Sequence, residues 1–500
     1  MTQEPERPVR PRTQGRVLFL VICAAGIGGT FQFGYNLSII NAPTLSSRDL
    51  MTGLQNHRAL WRRRPVLSST SIPVIPRRLT AISFHSIFRN SPMKHGKHAL
   101  ENHCLTTWFC LYGPSLCLFS PWGDFLEPCL QDPWPLSWEG VSMNVQPMYL
   151  GESAPSELRG AVAMTSAIFT ALGIVMGQVV GLRELMGGPQ VWPLLLASCL
   201  VPGVLQLVSL PLLPESPRYL LIDCGDTEAC LAALQMLRGT QDVAEEMEEM
   251  EEERAACQGR QARRPWELFQ DRGLRRQVTS LVVLGSAMEL CGNDSVYAYA
   301  SSVFREAGVP EEKIQYAIIG TGSCELFATF VSCVVIERVG RKVLLVGGYS
   351  LMTCWASIFT AALCLKNSFP WMPYLAMSCV FAFILSFGIG PAGVTGILAT
   401  ELFDQTARPA AYMVCGALMW IMLFLVGIGF PFVMESLSHF LFVPFLGVCI
   451  CGAIYAGLFL PETKGKTFLE ISEDLHRLSL PVQAQGPTRS SREVIQSTEL

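Results

Sequence analysis

Residues 148–161 read Met-Tyr-Leu-Gly-Glu-Ser-Ala-Pro-Ser-Glu-Leu-Arg-Gly-Ala, and they decide the fold. The stretch closes one apolar segment and opens another, with Glu152 and Arg159 seven positions apart. The same grammar returns at 399–411, where Glu401 and Arg408 are seven apart and Pro409-Ala410-Ala411 follows the arginine. Both residues lie 249 positions from their counterparts (401 − 152 and 408 − 159). A third echo has nearly the same offset, Pro214-Glu-Ser-Pro-Arg218 against Pro461-Glu-Thr-Lys-Gly465. Matches at one offset predict two half-length repeats in parallel order.

The chain has 500 residues, 50% of them apolar and only 16% charged, a balance that sets it apart from soluble domains. Apolar runs long enough to cross a ~30 Å hydrocarbon core recur. They lie near 17–40, 160–181, 190–213, 277–301, 313–336, 342–365, 371–398, 409–435 and 438–460, with a weaker one ending near 151. An all-α membrane protein follows, and parallel repeats of such helices are a hallmark of transporters. The net charge of −4 points to no nucleic-acid partner. The 18 cysteines are scattered, mostly in apolar runs, with no C-x-x-C pair and no metal-ligand spacing. They read as small buried hydrophobes, and no metal or cofactor is expected. No G-x-x-x-x-G-K-[ST] loop is present to bind nucleotide.

Residues 1–16 are polar and carry Arg7, Arg10, Arg12 and Arg16, which place the N-terminus in the cytosol. An N-terminal bundle is expected over 17–221, a cytosolic helical linker over 222–275, a C-terminal bundle over 276–460 and a cytosolic tail over 461–500. In the first helix Gln32 and Asn36 share one face, which should turn inward to a cavity or a partner helix. The linker holds an acidic run from Glu245 to Glu253, read as a solvated helix face. The chain ends Thr498-Glu-Leu500, a weak fit to sheet-edge recognition of a C-terminal carboxylate. Glycosylation triplets at Asn36-Leu-Ser38 and Asn293-Asp-Ser295 fall inside apolar spans and are discounted.

Tyr149-Leu-Gly-Glu-Ser-Ala-Pro with Arg159-Gly160, Pro214-Glu-Ser-Pro-Arg218, Glu337-Arg-Val-Gly-Arg341, Arg408-Pro-Ala-Ala411 and Pro461-Glu-Thr-Lys-Gly465 occur in order. Together they resemble the sugar porter family of the major facilitator superfamily, and within it the facilitative hexose transporters of the class II branch. The match covers 17–45 and 140–475. The resemblance implies two six-helix bundles, a central sugar site, no enzyme activity and residence in a membrane, expected to be the plasma membrane, with both termini cytosolic. It also implies a cytosolic latch of Glu152, Arg159, Glu215, Arg218, Glu337, Arg341, Glu401, Arg408 and Glu462. Each such pair is worth about 0–1 kcal/mol alone. Several together bias two states that differ by a few kcal/mol.

The implied sugar site is Phe33, Asn36, Gln178, Glu289, Asp294 and Trp420, with Tyr299 as outer gate. It departs from the family in several places. The family's helix 7 reads roughly Gln-Gln-Leu-Ser-Gly-Ile-Asn, and here it is Met288-Glu-Leu-Cys-Gly-Asn-Asp294. The sugar-contacting glutamine of helix 5 becomes Ala167, Pro-Ile-Pro of helix 10 becomes Gly393-Val-Thr395, and Met419 and Leu423 flank Trp420. Neutral amides are lost and two carboxylates gained, each costing about 2.5–3.5 kcal/mol at mid-membrane. Carboxylates accept hydrogen bonds from hydroxyls well, so a hexose still fits. Proton symporters of the family carry Asp where Asn36 stands, and a neutral amide cannot cycle a proton.

The expected activity is uniport of glucose or fructose by alternating access; a proton-coupled sugar symporter ranks lower. A second expectation comes from 46–139, which departs from the family. That segment holds five of the seven histidines, the run Trp61-Arg-Arg-Arg64 and frequent prolines. The family's Gly-Arg-Arg/Lys turn between helices 2 and 3 should sit near 88–93, which reads Phe-Arg-Asn-Ser-Pro-Met. The N-terminal bundle is therefore expected to be disrupted at helices 2–4, giving a non-transporting membrane variant as the alternative.

Overall fold

The computed structural model describes residues 16–41, 145–188, 191–209, 213–257, 263–271, 273–365, 368–404, 406–437, 440–466 and 471. The expectations for 46–139 and for Thr498–Leu500 lie outside these residues.

The described chain is helical throughout. In the N-terminal half it forms α1 (Arg16–Gly28), α2 (Thr30–Asn41), α3 (145–153), α4 (Arg159–Val180), α5 (Trp192–Ala197) and α6 (Leu200–Ser209). The linker follows as a π turn at Tyr219–Asp223, then α7 (Thr227–Arg238), α8 (Ala244–Cys257) and α9 (Pro265–Gln270). The C-terminal half comprises α10 (Arg275–Leu290), α11 (Asn293–Ala298), α12 (Ala300–Glu306), α13 (Glu311–Val339), α14 (Arg341–Cys364), α15 (Met372–Ile389), α16 (Pro391–Leu402), α17 (Arg408–Leu437) and α18 (Val443–Phe459). Among the described residues, six helical stretches are long and apolar enough to cross a membrane: 16–39, 159–180, 311–339, 341–364, 372–402 and 408–437. Their outward faces carry Phe327, Phe330, Phe424 and Phe432 in the open, as lipid-facing surfaces require.

Several runs expected as single spans are broken. The run at 277–301 divides into α10, α11 and α12: α10 ends where Gly292 takes φ +100°, a left-handed conformation that only glycine adopts readily, and α11 ends at Tyr299 with φ −124°. A Cβ there would also lie 2.6 Å from the Phe445 ring. The run at 371–398 bends at Gly390-Pro391, since proline cannot donate to the preceding turn. The run at 190–213 splits between α5 and α6. Discontinuous helices of this kind mark the substrate level in transporters.

The two halves are packed differently. In the N-terminal half α2 lies on α4 backbone to backbone: a Cβ on Gly34 would stand 2.1 Å from the Thr170 carbonyl oxygen, and one on Gly173 would stand 2.2 Å from that of Phe31. Small residues permit this approach where lipid provides no hydrophobic drive. The C-terminal half closes around large side chains, with Phe304, Tyr349, Phe403, Phe430 and Phe442 fully buried. Phe442 makes edge contacts with Phe359, Phe383 and Phe445.

Candidate functional site

The charged residues of the repeated motifs gather at the end of the bundle that carries the linker. In the C-terminal half Arg341 is the hub. Its guanidinium donates to Glu401 at 2.9 Å and to Glu337 at 3.0 Å. Glu462 caps the start of α14, accepting the backbone N–H of Arg341 at 2.9 Å and of Lys342 at 3.1 Å. The Thr463 hydroxyl donates to Glu401 at 2.5 Å.

In the N-terminal half the Ser216 hydroxyl donates to Glu152 at 2.7 Å. Arg218 pairs with Glu249 at 3.3 Å and with Glu253, and Arg159 reaches Glu249 at 3.6 Å. Both acidic partners lie on α8, so part of the acidic run is a counter-charge and not only a solvated face. Burial pushes the Arg218 guanidinium down to about 9, with neighbouring Arg159 and Arg408 adding to the effect. Glu215 lies beside Tyr149, whose hydroxyl donates to the Pro214 carbonyl at 2.6 Å.

Ser216 and Thr463 are each the third residue of their Pro-Glu-Ser/Thr echo, and each holds the repeated carboxylate of its own half. The motif thus has a local reason: a buried carboxylate needs a donor, and a hydroxyl at that position supplies one.

The halves meet at this end. Glu152 of one half faces Arg408 of the other at 4.0 Å. The Ala161 backbone N–H donates to Glu337 at 3.1 Å. Gly151 sits where a Cβ would touch Thr400 at 2.8 Å, and these two positions are themselves 249 apart. Such swapped contacts are what a two-fold relation between parallel repeats produces.

Deeper in the bundle, Phe33 of α2 meets Trp420 of α17 edge to face, with ring centres 6.0 Å apart at 88°. These are two of the expected site residues, one from each half. Glu289 is buried near the end of α10, and half-buried Asp294 follows the break at Gly292. Gln178 is 6% exposed, and its Oε1 has no partner among the described residues. It shares a small cavity with Leu37, Ser38, Tyr297, Ala300 and Ser301. Asn36 is half-buried and accepts the Cys199 thiol at 2.7 Å, so it ties α2 to the helix break before α6. Tyr299 donates to the Gly427 carbonyl at 2.7 Å and stacks on Phe430 with ring centres 5.0 Å apart, both within the C-terminal half.

Two residues here escaped the sequence reading. Tyr297 faces α2 and Gln178 of the opposite half, and its hydroxyl donates to Glu325. Glu325 is 5% exposed on α13. A carboxylate in the middle of the apolar run 313–336 was the available signal.

Among known proteins, the family described as "Sugar (and other) transporter" matches residues 139–475. The human solute carrier family 2, facilitated glucose transporter member 11, is 70% identical, covering 99% of this chain and all of the relative. The mouse member 9 is 36% identical over 92% of this chain and 86% of its own length. The human member 5 is 36% identical over 91% of each. The solved structure of the proton:xylose symporter XylE bound to 6-bromo-6-deoxy-D-glucose has a TM-score of 0.67 at 18% identity, covering 92% of this chain and 99% of that one. An inward open conformation of XylE from E. coli gives 0.59 at 20% identity.

Proposed function

Because this chain belongs to the sugar transporter family of the major facilitator superfamily, we propose that it is a facilitative hexose uniporter for glucose or fructose. The observation that carries the proposal is the meeting of Phe33 and Trp420 between the halves, above an end closed by Glu152–Arg408 and Ala161–Glu337. A hexose has an apolar ring face and a rim of hydroxyls. The aromatic pair suits the face, and Glu289, Asp294 and Gln178 offer acceptors to the rim. Tyr297 and Gln178 line the way in from the opposite end, a place for Tyr297 beside Tyr299 in the outer gate.

The linker end is the cytosolic one in this reading, and the membrane is the plasma membrane. Alternating access then parts the crossed contacts while those within each half persist. Arg341 and Arg218 keep their partners, so each half moves as a body and only the swapped contacts break. Asn36, a neutral amide bonded to Cys199, supports uniport over proton symport.

The test is sugar flux in vesicles containing the purified chain. Glucose or fructose should equilibrate down its gradient at a rate unaffected by collapsing a proton gradient. Sugar-dependent proton entry would assign symport instead. Absence of flux would favour a second reading, a non-transporting variant, which the onset of the family match at 139 supports.

A further inference from the structure

The short helix α9 lies between the linker-side ends of two spans. The Arg263 backbone N–H donates to the Thr406 carbonyl at 3.0 Å, just ahead of α17, and α10 starts a few residues beyond α9. Leu268 is buried in the main core and pins the helix there. Trp266 and Phe269, three positions apart on the opposite face, are each 56% exposed. The Arg264 guanidinium lies 5.4 Å over the Trp266 ring. Arg263 is neutralised by Asp271; that bond, and then the Gly273 N–H, hold the Asp271 carboxyl below its ordinary range. Arg264, Arg275 and Arg276 remain on the exposed side.

We propose that α9 and the first turn of α10 form an anchor for anionic phospholipid. Trp266 and Phe269 would enter the acyl boundary, while Arg264 and Arg275 meet headgroup phosphates or carboxylates. Three observations converge on this occupant. The helix sits where spans leave the membrane, its outward face is aromatic, and the charge around that face is basic. An aromatic face rimmed by arginines suits the headgroup level, where aromatic rings are enriched and basic residues gain from negative lipid. A face docking an acidic protein would not need two exposed rings at the membrane boundary.

The test uses the full chain in nanodiscs of phosphatidylcholine, with and without phosphatidylserine. Hydrogen exchange over 263–276 should slow when phosphatidylserine is present. Loss of Arg264 and Arg275 in R264Q/R275Q should weaken that response about fivefold per arginine. R264K/R275K should keep it, and W266A/F269A should raise exchange in both lipids. All four positions are exposed, so folding should be undisturbed. Identical exchange in the two lipids would overturn the proposal. So would a response that survives R264Q/R275Q, or one reproduced by inorganic phosphate in phosphatidylcholine alone.

Discussion

In the C-terminal half Glu401 receives Arg341 at 2.9 Å and the Thr463 hydroxyl at 2.5 Å; in the N-terminal half its counterpart Glu152 receives the Ser216 hydroxyl at 2.7 Å and faces Arg408 of the other half at 4.0 Å. The hydroxyl is common to both repeats, and the described residues show the arginine hub in the C-terminal one. By the 249-residue offset, the counterpart of Arg341 is Pro92, which has no guanidinium and lies outside the described residues. The N-terminal arginines turn instead to Glu249 and Glu253 of the linker. Duplicated sequence therefore preserved the local donor, while the N-terminal arginines draw counter-charges from the linker.

The strongest way to break this comparison is to place an arginine at the N-terminal counterpart of Arg341. Replacing 46–139 with the segment of a relative that carries the Gly-Arg-Arg/Lys turn should raise hexose uptake at equal surface level by about an order of magnitude or more. That corresponds to ~1.4 kcal/mol or more in the population of competent molecules. Uptake assays in cells without native hexose carriers would show it, and equal uptake by both chains would mean that the segment is no handicap.

A smaller effect is expected from removing the hub where it exists. In R341A, Glu401 loses its cation while 9% exposed, a situation that costs about 3–5 kcal/mol. In R159A the lost side chain is 24% exposed and its partner 47%, so about 1 kcal/mol or less is expected. Thermal unfolding of the two variants in detergent measures the difference. Equal shifts would remove the asymmetry between the halves.

The shared hydroxyls should behave alike. S216A and T463A each strip a buried donor from a carboxylate, which costs about 1.5–3 kcal/mol. S216T and T463S keep the donor and should stay within about 0.5 kcal/mol of the parent. The same unfolding measurements test both pairs, and a neutral S216A would show that the N-terminal echo has lost its role.

The family and the repeat were legible because the motifs recur at one offset, and the membrane spans because apolar runs of the right length stand out. The breaks inside those runs were not read, although Gly292 and Gly390-Pro391 mark them, since glycine also appears in unbroken spans for close packing, as Gly34 and Gly173 do. At the site, Phe33 and Trp420 could be paired from the resemblance. Glu325 was not legible as a site residue because its partner Tyr297 lies on another helix, 28 positions away in the sequence. Asn36 and Tyr299, expected at the sugar site and the gate, also tie helices through Cys199 and Gly427, and periodicity within one helix does not reveal such neighbours.

The finest distinction concerns the crossed pair itself. Glu152 and Arg408 are almost fully buried yet 4.0 Å apart, the outer limit of an ion pair, and Arg408 also donates to the Phe403 carbonyl at 3.3 Å. Their direct coupling should be about 0.5–1 kcal/mol in a cycle of E152Q, R408Q and the double variant. Glutamine in E152Q retains an acceptor for Ser216, and the double variant separates the direct coupling from each residue's other contacts. Since the pair joins the halves, the coupling belongs to the equilibrium between closed and open linker ends. Labelling of a cysteine introduced behind the pair should speed up in each single variant by less than tenfold, and the two effects should not add. A coupling seen only in thermal unfolding, with labelling unchanged, would make Glu152–Arg408 a fixed contact within one state, and the latch would then rest on other contacts such as Ala161–Glu337.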